Sequence, residues 1–97
     1  MKPTTYYILI NIKTEDGFES IGKFFIGNNR AMSYALFHLL KGSSEINDDT
    51  MLSMELMETV QELPLNLLII GCTLEELAHN CRIITKETFK NRNLEEL

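Results

Sequence analysis

Few side chains in this sequence could do chemistry: two cysteines, Cys72 and Cys81, two histidines, His38 and His79, and an acidic run that includes Glu55 and Glu58. Cys72 comes first, because a thiol at the start of a helix can be held as the nucleophilic thiolate. Its neighbours argue otherwise. Glu75 and Glu76 would share that first turn and disfavour a second negative charge, and the residue before a cap commonly packs on the one five later, here Leu77. Cys81 falls on the apolar side of the same helix as a small core residue. The two thiols would stand about 13 Å apart along the helix axis, too far to bridge, so both read as reduced and the chain as cytoplasmic.

The other groups are no stronger. His79 follows Glu75 by four residues on a helix and reads as that carboxylate's partner. A Cys72 and His79 dyad would put its members on different sides of the cap and helix. Glu55 and Glu58 could flank a cleft as an acid and a base, but outward carboxylates on a strand usually only meet water. No metal-ligand spacing occurs, Asn47-Asp48-Asp49 lacks the pattern of a calcium loop, and the glycines stand singly rather than in a phosphate-binding run. The expectation is no catalytic residue, no cofactor and no metal, and an enzyme is the weaker reading.

The elements that must position these residues follow from periodicity. Thr4 to Lys13 alternates, with Tyr6, Ile8, Ile10 and Ile12 on one phase and Tyr7, Leu9 and Asn11 on the other, as a strand does. Glu15-Asp16-Gly17 is a turn signal in which Gly17 can take positive φ, and Phe18 to Ile26 resumes as the second strand of a hairpin. Asn28 and Asn29 can cap a helix carrying Ala31, Met32, Ala35, Leu36, Leu39 and Leu40, and Gly42 would end it. Ser43 to Thr50 reads as a loop. Met51 to Leu63 fits a strand through Leu52, Met54, Leu56 and Val60, or a helix through Leu52, Leu56, Val60 and Leu63. The strand is preferred because the rest of the chain supplies a partner. Leu63-Pro64 punctuates before a short run from Leu65 to Ile70. Thr73 and Glu76 form a capping box for a last helix whose apolar residues are Leu74, Leu77, Ala78, Cys81, Ile84 and Thr88. That helix ends near Phe89, with residues 93–97 as a fraying tail.

This order predicts one α+β domain over residues 1–97, built as two ββα units that form a four-stranded antiparallel sheet with two helices on one face. A short internal echo, Phe25-Ile26-Gly27 against Ile69-Ile70-Gly71, is in keeping with that duplication.

Apolar residues then exceed what one sheet face can hide. If Ile8, Ile10 and Ile12 face the helices, Tyr7 and Leu9 face away. Ile21, Phe24, Phe25, Leu67, Leu68, Ile69 and Ile70 cannot all lie on one side either. A second apolar patch predicts self-association, most simply a homodimer in which sheet packs on sheet, with Tyr7, Leu9, Ile21 and Phe25 as anchors.

Nine Lys and Arg against fourteen Asp and Glu give a net charge of −5, the wrong sign for a general nucleic-acid binder. No apolar run could span a bilayer, and the stretch after Lys2 lacks the pattern of a secretory signal. Charge is also segregated: residues 43–80 hold no Lys or Arg, whereas His79, Arg82, Lys86 and Lys90 would form a stripe on the last helix. That stripe reads as a solvated face with cations toward the helix C-terminus, or alternatively as an anion site. The functional expectation is a small homo-oligomeric interaction or regulatory module without catalysis. The alternative is a sensor for a small ligand or anion at the subunit junction, using Arg30, His38 or the Arg82 stripe, and a thiol or acid-base enzyme comes last.

Overall fold

The computed structural model describes residues 4–95, with side chains as far as residue 93. Lys2 and the end of the tail lie outside the described residues. The chain runs β1 (Thr5–Thr14), β2 (Gly17–Gly27), α1 (Arg30–His38), β3 (Leu52–Val60), β4 (Leu63–Cys72) and α2 (Leu74–Glu95). The strands form one antiparallel sheet in the order β2-β1-β3-β4. The molecule is therefore α+β, with β1 and β3 paired at the centre and β2 and β4 at the edges.

Each hairpin turns on the backbone its sequence allows. Gly17 takes φ 111° directly after Glu15-Asp16 and closes the first pair against Thr14. In the second, Gln61 and Glu62 both adopt positive φ, 51° and 70°, the two-residue turn whose twist suits antiparallel strands. The sequence reading placed that break at Leu63-Pro64. Pro64 instead lies inside β4, opposite Thr59, where its missing N–H costs nothing because β4 is an edge strand.

Register decides the core. Ile8 pairs with Phe24 and Leu56, Ile10 with Met54, Met54 with Ile70, Leu56 with Leu68, and Leu52 with Cys72. These side chains share one face, and over it Leu36 and Phe37 of α1 and Ile84 of α2 complete a single apolar cluster. Residues 51–63 thus contain a strand, and its centre is covered on both faces: Ser53, Met54, Leu56, Met57 and Glu58 are all buried. Sequence helix propensity lost to pairing with two neighbours.

The helices differ in detail from the pattern read in the sequence. In α1 the buried residues are Ser33, Leu36 and Phe37, so the apolar sector is rotated away from Ala31, Ala35 and Leu39, which are exposed. Ser33 tolerates burial because its hydroxyl donates to the Asn29 carbonyl at 2.7 Å. Asn29 is the cap and accepts from the Met32 amide. The helix ends at Leu39 without a left-handed residue, and Gly42 serves a different purpose: a Cβ there would lie 2.7 Å from the Gly71 carbonyl oxygen. That close approach lets Ser43 exchange two backbone hydrogen bonds with Gly71, at 2.9 and 2.8 Å, and covers that end of the β4 edge.

In α2 the capping box forms as the sequence requires, with Thr73 Oγ1 accepting from the Glu76 amide at 3.1 Å and Glu76 accepting from the Thr73 amide at 2.9 Å. The helix runs on past Phe89 to Glu95. Leu74 is 72% exposed rather than part of the apolar face, while Asn80 is wholly buried.

Candidate functional site

The face of the sheet away from the helices is a mosaic. Reading across β2, β1, β3 and β4, one row is Phe25, Tyr7, Met57 and Asn66, and the next is Lys23, Leu9, Glu55 and Ile69. The third is Ser20, Asn11, Ser53 and Gly71, with Ile21 an extra residue in a bulge beside it. Tyr7 and Met57 are already buried within one chain, and Lys23 sits over the Tyr7 ring at 4.3 Å. Exposure is concentrated around them, at Ile21 (60%), Phe25 (51%) and Ile69 (41%).

Polar groups cross this face as a connected set. Ser20 Oγ donates to Asn11 Oδ1 at 2.7 Å, and Asn11 Nδ2 donates to Ser53 Oγ at 3.2 Å and to Glu55 Oε1 at 2.8 Å. Asn66 Nδ2 donates to the other Glu55 oxygen. One hydrogen-bonded chain thus links all four strands. The expectation of a plainly apolar patch is therefore corrected: because alternation brings Asn11, Ser53 and Glu55 into phase with Tyr7 and Leu9, the face is half apolar and half polar, with its buried polar atoms satisfied internally.

Of the four anticipated anchors, Leu9, Ile21 and Phe25 offer surface, and Tyr7 contributes beneath Lys23. Phe25 lies at the outer margin, where the Arg92 guanidinium of α2 stands 5.9 Å from its ring centre. Both edge strands are poor templates for further pairing. β2 carries irregularities of register beside Ile10 and beside Tyr6, and β4 carries Pro64, a bulge at Leu67 and the Ser43 bridge.

A second polar group lies on the helix side. Tyr6 Oη donates to Glu58 Oε2 at 2.5 Å, and Arg30 Nη1 donates to the same oxygen at 2.8 Å. Arg30 also reaches Tyr34 Oη at 3.2 Å and lies over its ring. The carboxylate of Glu58 is buried, whereas the Arg30 side chain is 58% exposed. Burial and the adjoining carboxylate both push the Tyr6 phenol upward from its usual range, so it stays a neutral donor. This triad ties the first turn of α1 to β1 and β3, and it engages the Arg30 that sequence reading had offered to an anion.

The candidate catalytic groups are kept apart. Glu55 and Glu58 are three residues apart on a strand and so face opposite sides of the sheet, which removes any acid-base pair between them. Cys72 is buried, its thiol is pushed up to about 11 by desolvation and by Glu76, and its sulfur lies 3.6 Å from the Lys41 carbonyl oxygen. It is an inert core thiol; Cys81 is half-buried, its thiol also raised by burial, and both are free. His38 is exposed and stands against Tyr34, with ring centres 6.4 Å apart. Among the described residues His79 forms no hydrogen bond or ion pair with Glu75, and no group of three or more His, Cys, Asp or Glu could hold a metal. Arg82, Lys86 and Lys90 are exposed on α2, with His79 half-buried beside them.

Sequence reasoning missed Asn80. Its amide pairs with the backbone of Lys41 in both directions, accepting from the N–H at 2.7 Å and donating to the carbonyl at 2.8 Å, and its Nδ2 also faces the sulfurs of Met54 and Cys72. One side chain thereby fastens the segment after α1 to α2. Its place between Leu77 and Ile84 at helical spacing was the available signal.

Two clefts complete the surface. One, of about 320 Å³, lies between the β2–α1 junction and the later turns of α2. The other, of about 500 Å³, is open and acidic, bounded by Glu45, Asp49 and Glu76 near the start of α2. No described helix is long and apolar enough to cross a membrane. Comparison with protein families, with curated proteins and with solved structures finds no match to this chain.

Proposed function

We propose that this protein is a non-catalytic module that acts as a homodimer, two copies packing through the helix-free faces of their sheets. The observation that carries the reading is the set of exposed Ile21, Phe25 and Ile69 with half-buried Leu9 around a buried centre of Tyr7 and Met57.

The polar chain on the same face does not oppose burial. Asn11, Ser53 and Glu55 already have partners, so covering them leaves no new unsatisfied group. A two-fold axis parallel to the strands would lay β2 of one copy over β4 of the other. Lys23 would then meet the half of the partner that carries Glu55, which favours this orientation over its reverse. The irregular edge strands direct association to the face rather than to a continuous sheet.

The element order also supports the finer reading of two ββα units, with the second hairpin and helix repeating the plan of the first. Two free thiols are in keeping with a reducing, cytoplasmic setting. A partner that is nucleic acid or membrane finds no support in the net charge of −5. Sedimentation of the wild type beside Ile21→Glu and Ile69→Glu tests the proposal. Both positions are exposed in one chain, so the variants should fold, and each should shift a wild-type dimer to monomer. A wild type that sediments as a monomer at tens of micromolar, or variants that remain dimeric, would defeat the pairing.

A further inference from the structure

The cleft of about 320 Å³ between the β2–α1 junction and α2 has a chemistry unlike the rest of this acidic chain. Its apolar floor includes Phe25, Ile26 and Met32, and its polar wall includes Asn28, Asn91 and Arg92. No acidic side chain among the described residues lines it. The Arg92 guanidinium forms no ion pair among the described residues and is held above the Phe25 ring at 5.9 Å, so a cation is placed over the floor without a counter-charge.

Two further observations bear on the same place. The Thr88 hydroxyl, in the wall of this cleft, is the one buried side-chain oxygen or nitrogen without a hydrogen-bond partner among the described residues. The cleft also adjoins the start of α1, whose first turn carries no acidic residue of its own. A volume of this size suits a small metabolite, and a few converging polar groups over an apolar floor is the usual make-up of a ligand site.

We infer that this cleft binds a small organic monoanion: a carboxylate held by Arg92 and the neighbouring carboxamides, with an apolar body resting on Phe25 and Met32. One guanidinium with neutral amide donors matches a single negative charge, whereas a phosphate dianion would call for more than one cation in a chain of net charge −5. This site goes beyond the pairing proposed above but shares Phe25 with it, so the same titration on Ile21→Glu reads the cleft apart from the pairing.

The test is a titration of the isotope-labelled full chain followed by amide resonances, with benzoate as probe, benzamide as its neutral counterpart and inorganic phosphate as a competing anion. Benzoate should give saturable shifts at the amides of Asn28, Asn29, Thr88 and Asn91. Benzamide, and benzoate with Arg92→Gln, should each bind at least about tenfold more weakly. Arg92 is exposed, so the variant's spectrum should otherwise overlay the wild type, and Asn91→Leu gives a second, uncharged perturbation expected to weaken benzoate as well. Shifts that do not saturate by about 10 mM, equal binding of benzamide, wild-type affinity in Arg92→Gln, or a response to phosphate but not benzoate would each overturn the inference.

Discussion

Replacing Asn80 should be the most informative single change in the helix layer. Its side chain is fully buried and makes both hydrogen bonds of a peptide group with Lys41, at 2.7 and 2.8 Å. Asn80→Leu keeps approximate volume but strands one N–H and one carbonyl. A stranded buried group costs about 1–3 kcal/mol, and because water reaches part of this segment the two together should cost about 2–4 kcal/mol. For a domain of this length that corresponds to a melting temperature lower by about 10–25 °C. Asn80→Asp is sharper still. A carboxylate could accept from the Lys41 amide, but its other oxygen would meet the Lys41 carbonyl and two sulfurs, where only a protonated carboxyl can donate. The folded-state pKa would therefore be raised above the unfolded value of about 3.9. The native state then holds a proton that the unfolded state has lost, and stability falls as pH rises from about 4 toward that raised pKa. Urea unfolding at fixed protein concentration, at pH 4 and pH 7, reads both effects. Asn80→Asp should approach wild type at the lower pH and fall well below it at the higher. An Asn80→Leu variant within about 0.5 kcal/mol of wild type, or a gap between Asn80→Asp and wild type that is the same at both pH values, would refute this role for Asn80.

Three other outcomes are expected. Tyr6→Phe removes a hydrogen bond to the buried Glu58 carboxylate and should cost about 1.5–3 kcal/mol by chemical denaturation, more than Arg30→Gln, whose side chain is largely in water. Cys72, at about 11 in the fold against an unfolded value near 9, keeps its proton longer in the native state, so stability should decline between pH 9 and 11 by at most about 3 kcal/mol; Cys72→Ala should flatten that limb of a pH titration, and iodoacetamide should label Cys72 slowly at neutral pH. Gln61→Asn relieves a left-handed position, φ 51°, and should raise the urea midpoint by the equivalent of about 0.5 kcal/mol.

The strands, the first hairpin and the start of α2 follow from features visible in the sequence, whereas the β1–β3 pairing that orders the sheet does not. Tyr6, Ile8 and Ile10 alternate with Tyr7, Leu9 and Asn11, Gly17 permits the first turn, and Thr73 with Glu76 marks the start of α2. The strand at Leu52–Val60 was legible through its partners rather than through propensity. Once it is a strand, parity alone sends Glu55 and Glu58 to opposite faces and prevents their reading as a pair. Other features depend on contacts far apart in sequence. The phase of α1 rests on whether Ser33 can be buried, which its bond to the Asn29 carbonyl decides. Gly42 has a use only because Gly71 lies against it. Asn80 occupies the line from Leu77 to Ile84, but a polar residue there reads as solvent-facing until the Lys41 backbone is seen opposite. The Arg92 cleft joins residues more than sixty positions apart, and no local pattern announces it.

Pairing through the helix-free sheet face is open to an isotope-filtered NOE measurement on a sample mixed from labelled and unlabelled chains. Contacts between copies are expected from the methyl groups of Leu9, Ile21 and Ile69 and from the Phe25 ring. Contacts between copies that arise only from α1 or α2, or their complete absence at millimolar protein, would contradict the pairing.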